Sequence, residues 1–242
     1  ANGCADVATD GSVWATAYYG TVGFANCNEE SEQNGQNCYV ERTDETGDNQ
    51  YGGTCAITCA GGTSTTGQYD CSWDVWHYAS STDELSTWTT AVQVKDGSFA
   101  THNDTQVFNV ADNVAIDITG SLTFGATAQG STTTEQSLTV TNQGNQWDQD
   151  VYLYGTNFSC DTGSFDVGAL RYSSTSEAWE SKTALTTVTS TVVGMTIPTQ
   201  TTNTAVTDDV YVQVLPPTVA NNNGIGIDGT CTTTMSFIAV TE

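Results

Sequence analysis

From residue 114 to 241 the chain repeats one pattern, and that pattern sets its fold class. Apolar and polar residues alternate in short runs, each closed by Gly, Pro, Asn or Asp. The runs are "NVAIDITGSLTFGA", "QSLTVTN", "DVYLYGTNFSC", "VGALRYSS", "ALTTVTSTVVGMTIP", "DDVYVQVLPP" and "TCTTTMSFIAVTE". Val114, Ile116 and Ile118 open the series, and the alternation carries on through Leu122 and Phe124. A period of two with β-branched residues predicts strands, and several strands divided by turn residues predict an antiparallel β-sandwich. No long amphipathic helix interrupts them, which argues against a βαβ architecture.

The first part of the chain is built differently. Six of the eight cysteines, Cys4, Cys27, Cys38, Cys55, Cys59 and Cys71, fall there, and only Cys160 and Cys231 serve the rest. "GSVWATAYYGTVGFANC", "NCYVERT", "GQYDCSWDVWHYAS" and "STWTTAVQVKDGS" have strand composition,. In the third, Tyr69, Cys71, Trp73 and Val75 are expected on one face, with Trp76 and Tyr78 on the other. "SSTDELSTW" has the N-cap and early acids of a one- or two-turn helix,. The chain is therefore read as all-β: a disulfide-rich β domain over 1–108 and a β-sandwich domain over 109–242. The junction lies within the linker-like "ATHNDTQVFNVADN".

Eight cysteines beside two histidines, with no CxxC pair, fit disulfides better than zinc and imply an extracellular compartment,. Cys160 and Cys231, alone in their half, are expected to bridge each other. Cys59 and Cys71 flank a Gly-rich turn and suit a hairpin staple. The six N-terminal cysteines otherwise leave their connectivity open. The opening "ANGCADVATDG" is expected to be a mature end left by signal-peptide removal,.

Twenty-eight acids face four bases, for a net charge of −24. Charged residues are only 13% of the chain, against roughly 25% in ordinary soluble domains,. The chain is thus depleted in bases rather than loaded with acids. Nucleic acid and anionic membrane surfaces are excluded as partners, since both require basic patches. No apolar run approaches the roughly 20 residues of a membrane span. Divalent cations are the natural counter-charge.

"LTVTNQGNQWDQDVYL", "ALRYS" and "VYVQVLPP…GTCTTTMSFIAV" carry a resemblance. The segment from about residue 112 onward resembles the Ig-like β-sandwich domains of secreted archaeal and bacterial surface and extracellular-filament proteins. In such a sandwich, the loop holding Asn145, Asp148 and Asp150 shares one end with the loop holding Asn221, Asn222, Asn223 and Asp228. The resemblance thus implies that two oxygen-rich segments converge, which suits calcium with its six to eight oxygen ligands. Glu29, Glu30, Asp44 and Asp48 form further candidate calcium ligands in the first half, although no EF-hand spacing is present. The competing reading of each cluster is a solvated turn.

No GxSxG, HExxH or P-loop spacing occurs. His77 is read as packed in an aromatic strand and His102 as a solvated linker residue. With 28 acids a chance carboxylate pair says nothing, so an enzyme is not expected,. Asn103 and Asn157 stand in glycosylation sequons, "NDT" and "NFS",. The expected function is a secreted structural subunit of an extracellular or cell-surface polymer, self-associating, crosslinked by disulfides and binding calcium. Glycan binding through aromatic residues, Trp147 foremost, is the alternative, and a glycan hydrolase the second alternative.

Overall fold

The computed structural model describes residues 12–20, 27, 36–42, 53–59, 67–82, 86–95, 101–145, 148–187, 191–200 and 204–241. The protein is all-β. Among the described residues the helical elements are three-residue 3-10 turns, and no helix is long and apolar enough to cross a membrane. The chain divides into two compact units. The first comprises Ala1–Asn113 and Thr201–Thr204; the second comprises Val114–Gln200 and Ala205–Glu242.

The first unit contains β1 (Ser12–Tyr19), β2 (Cys38–Arg42), β3 (Gly53–Cys59), β4 (Gly67–Trp73), β5 (Trp88–Lys95) and β6 (Thr101–Phe108). β2, β1, β5 and β6 form one antiparallel sheet in that order, while β3 and β4 pair as a hairpin. Trp88, Tyr39 and Tyr78 are buried at the centre, and Tyr19, Trp73, Trp76 and Phe108 pack against them. Two of the polar tips find partners: the Trp88 indole donates to the Ser80 carbonyl at 2.7 Å, and the Tyr39 hydroxyl accepts from the Trp76 N–H at 3.0 Å.

Two expectations for this unit change, and a third falls on residues not described. The linker-like stretch around His102 is strand, because β6 pairs along its length with β5, His102 opposite Val94. The aromatic run stays in strand only to Trp73. Val75 and Trp76 follow in irregular chain and Tyr78 in a turn, so no alternation of faces applies to them. The expected helix has its centre, 83–85, outside the described residues, and the residues flanking that gap are not helical.

The second unit begins with β7 (Ile116–Thr119), β8 (Gln136–Asn142), β9 (Gln149–Gly155), β10 (Phe158–Thr162) and β11 (Ser164–Phe165). It continues with β12 (Leu170–Ser173), β13 (Thr183–Ala184), β14 (Thr191–Ile197), β15 (Thr207–Val214), β16 (Asp228–Thr232) and β17 (Met235–Thr241). A five-stranded sheet runs β13-β12-β15-β8-β7, and a three-stranded sheet runs β14-β9-β17. Their inward residues share one core. Val140, Leu170, Tyr172, Val210, Val212 and Val214 come from the first sheet, and Val151, Leu153, Met195 and Ile197 from the second. This is a β-sandwich held by period-two patterning. A third sheet, β11-β10-β16, adds Phe158 and Phe165, whose rings stack at 4.3 Å between centroids.

Two of the predicted strands are split. "DVYLYGTNFSC" breaks after Gly155 into β9 and β10. A Cβ on Gly155 would lie 2.7 Å from the Leu185 side chain and 2.9 Å from the Thr234 carbonyl, so the chain crosses here where no side chain fits. "NVAIDITGSLTFGA" leaves the sheet at Gly120, whose φ of 109° ordinary residues rarely adopt,. β7 thus stops at Thr119, while Leu122 and Phe124 still pack on the core from outside any sheet.

Candidate functional site

The two loops expected to converge on calcium lie at opposite ends of the sandwich. β9 and β17 are antiparallel neighbours, with Gln149 opposite Thr241 and Gly155 opposite Met235. The loop before β9 therefore sits at one end of this pair. The segment before β17, which holds Asn222 and Asp228, sits at the other, about 20 Å away by the rise per strand residue. The implied shared end is corrected by this register.

Each loop is instead tied into its own end of the sandwich. Asn142 is fully buried; its amide donates to the carbonyls of Ile197 and Pro198 and accepts from the Gly144 N–H at 2.8 Å. Asn145 is buried beside it. Asp148 accepts from the Thr199 N–H at 3.2 Å, and Asp150 from the Thr196 hydroxyl at 2.8 Å. At the far end, the Asn222 amide donates to the carbonyls of Ser164 and Ile225, and Asp228 accepts from the Gly229 N–H. In both segments the Asn and Asp side chains are engaged in hydrogen bonds to the chain itself,. No group of three or more His, Cys, Asp or Glu residues suited to a metal occurs among the described residues. Glu29, Glu30, Asp44 and Asp48 lie outside those residues, as does Trp147.

Cys160 and Cys231 are bridged, across directly opposed positions of β10 and β16. Cys27 and Cys38 form a second bridge, buried in the first unit. Cys71 is also disulfide-bonded, but the expected Cys59 staple does not fit the hairpin. The register sets Cys71 opposite Cys55, and Cys59 opposite Gly67. Four residues of strand put Cys59 about 13 Å further along, beyond disulfide reach. Cys4 lies outside the described residues. Of the sequons, Asn157 is exposed, with its side-chain oxygen accepting from the Val167 N–H. Asn103 is in β6 opposite Gln93, and its side chain lies outside the described residues.

Both bases of the second unit are engaged internally. Arg171 stacks over Trp179 at 3.9 Å and donates to the carbonyls of Trp179, Glu180 and Lys182. Lys182, its side chain without solvent exposure, meets Glu135 at 2.6 Å. Burial pushes the Glu135 carboxyl up, but hydrogen bonds from Lys182 and Ser176 and the lysine charge outweigh it and hold the group below its ordinary value,. Neither cation is free to bind an anionic ligand. Among the described residues the aromatic ring pairs of the first unit cross at 32° to 86°, as in a packed core rather than a flat sugar platform.

Two features missed by sequence reasoning remain open to partners. The first is the outer face of the three-stranded sheet. Tyr154, Ile238 and Val240 are exposed there, and the half-buried Tyr152 is opposite Ile238. Among the described residues β17 is also an edge strand. The second is a groove of about 700 Å³ between the segment 122–129 and β16. Phe158, Phe165, Leu170, Val214 and Met235 supply its apolar lining, and threonines line much of the remainder. The outward positions of β17 are visible in the alternation. The groove depends on a chain path that no local signal encodes. Compared with known proteins, the chain matches no family model, no curated protein sequence and no solved structure.

Proposed function

We propose that this chain is a secreted structural subunit of an extracellular or cell-surface polymer or layer, its second unit an Ig-like sandwich that associates with further copies. The observation that carries the reading is the apolar outer face formed by Tyr152, Tyr154, Ile238 and Val240 beside the edge of β17, which no described strand covers. An exposed apolar patch on a sheet that ends in an edge strand favours association with another surface. The disulfides support an oxidising location, and the internal use of Arg171 and Lys182 disfavours anionic ligands,. Calcium belongs to this reading as a counter-ion between copies, since the net charge of −24 opposes their approach,.

The test is sedimentation of the full chain over a concentration series with millimolar calcium. Wild type is expected to form oligomers or polymers. The double variant Ile238→Asp, Val240→Asp, altered only at exposed positions, is expected to associate at least tenfold more weakly with its thermal unfolding preserved. Wild type that stays monomeric throughout would refute the reading.

A further inference from the structure

We infer that the groove between residues 122–126 and β16 is an acceptor slot for a β-strand from a second copy of this chain; the inference rests on the self-association proposed above. The walls carry the argument. After Gly120 the chain keeps an extended alternation, with Leu122 and Phe124 packed toward the core and Thr123 exposed. Among the described residues no strand pairs with it. The Gln136 side chain stands in for one, accepting from the Thr123 N–H at 2.8 Å and donating to the Thr123 carbonyl. In extended chain, successive residues present their N–H and C=O groups to opposite edges. Those of Leu122 and Phe124 therefore point away from Gln136, and among the described residues no hydrogen bond reaches them. The facing wall, β16, pairs with β10 alone among the described strands, so its other edge is also open.

A small apolar ligand would fill the floor but leave these main-chain groups unpaired. An extended peptide would bond to both walls and place alternate side chains on the floor, as in strand addition to a sheet edge. β16 is five residues long, which sets the length of strand accommodated at about five,. Charge selects the source. Asp228 is the single ionisable side chain of the lining, so the slot favours an uncharged strand, and an acidic peptide would be repelled. This chain is itself rich in such sequence: residues 183–207 contain no Asp, Glu, Lys or Arg. The neutral slot and such a neutral segment are complementary in a molecule whose net charge of −24 sets its other surfaces against each other.

Hydrogen exchange on the full chain, monomeric at low concentration and assembled at high concentration, tests this directly. The amides of Leu122 and Phe124 are expected to exchange freely in the monomer and to slow at least a hundredfold on assembly. Ala126→Asp places a carboxylate on an exposed position of the wall. It is expected to weaken association at least tenfold without moving the unfolding temperature. Assembly with those amides still exchanging as in the monomer would overturn the slot and leave the structural-subunit reading intact. Amides already protected in the dilute monomer, or a foreign peptide retained in native mass spectra, would assign the groove to another occupant and overturn it too. A chain that never assembles would sink both.

Discussion

Lys182 has no exposed side-chain surface, and its charge is tolerable there only because Glu135 lies 2.6 Å away. Glu135→Gln strands that ammonium and is expected to cost about 2 kcal/mol, less than breaking a fully buried pair because Glu135 is partly exposed,. Lys182→Met removes the charge and fills the same space, and is expected to cost less than half as much. Urea unfolding of both variants at neutral pH checks the order. The pH dependence follows from the same contact. The Glu135 carboxyl ionises more readily folded than unfolded, so the pair stabilises the protein above the ordinary value of 4.5 and ceases to do so as pH falls through the lowered one,. The gap between wild type and Glu135→Gln is therefore expected to narrow below pH 4.5. A gap that widens on acidification would show that the carboxylate is not what holds the lysine.

At the scale of elements, the bridges show what local sequence can and cannot specify. Cys160 and Cys231, 71 residues apart, pair as expected because their half of the chain offers no other partner. Closing a loop of that length is worth about 4 kcal/mol in the chain-entropy model. The partner of Cys71 is not legible in the same way, because it depends on hairpin register, and moving along a strand by a few residues exchanges Cys59 for Cys55,. Peptide mapping of unreduced protein is expected to link Cys71 to Cys55, and a Cys59–Cys71 peptide would contradict the hairpin register. The same distinction applies to whole strands. Val210, Val212 and Val214 announce an inward face through their spacing alone. The separation of the two acidic loops has no such signal, because it follows from β9 and β17 being neighbours, a pairing settled by the fold. The groove is illegible for a related reason. Leu122 and Phe124 keep the strand pattern after Gly120 has turned the chain out of the sheet, so the pattern persists where the pairing ends.

For the whole molecule, the decisive quantity is a charge of −24 with almost no bases to offset it. Two copies approaching through apolar faces bring their acids within a few ångströms, where added salt screens the repulsion over about 10 Å or less. Calcium can do more than screen, since one ion can join carboxylates and amide oxygens from two chains without a preformed cage in either. Asp208 and Asp228 are exposed and Asp148 stands at a sandwich end, so bridging between copies requires no convergence within one. Assembly is therefore expected to strengthen by more than tenfold in a few millimolar calcium. The same ionic strength supplied as sodium chloride should produce a smaller gain, and chelation should reverse the difference. Light scattering under matched ionic strength separates the cases. Equal responses to the two salts would reduce calcium to a screening ion, and assembly would then rest on the apolar face and the strand slot alone.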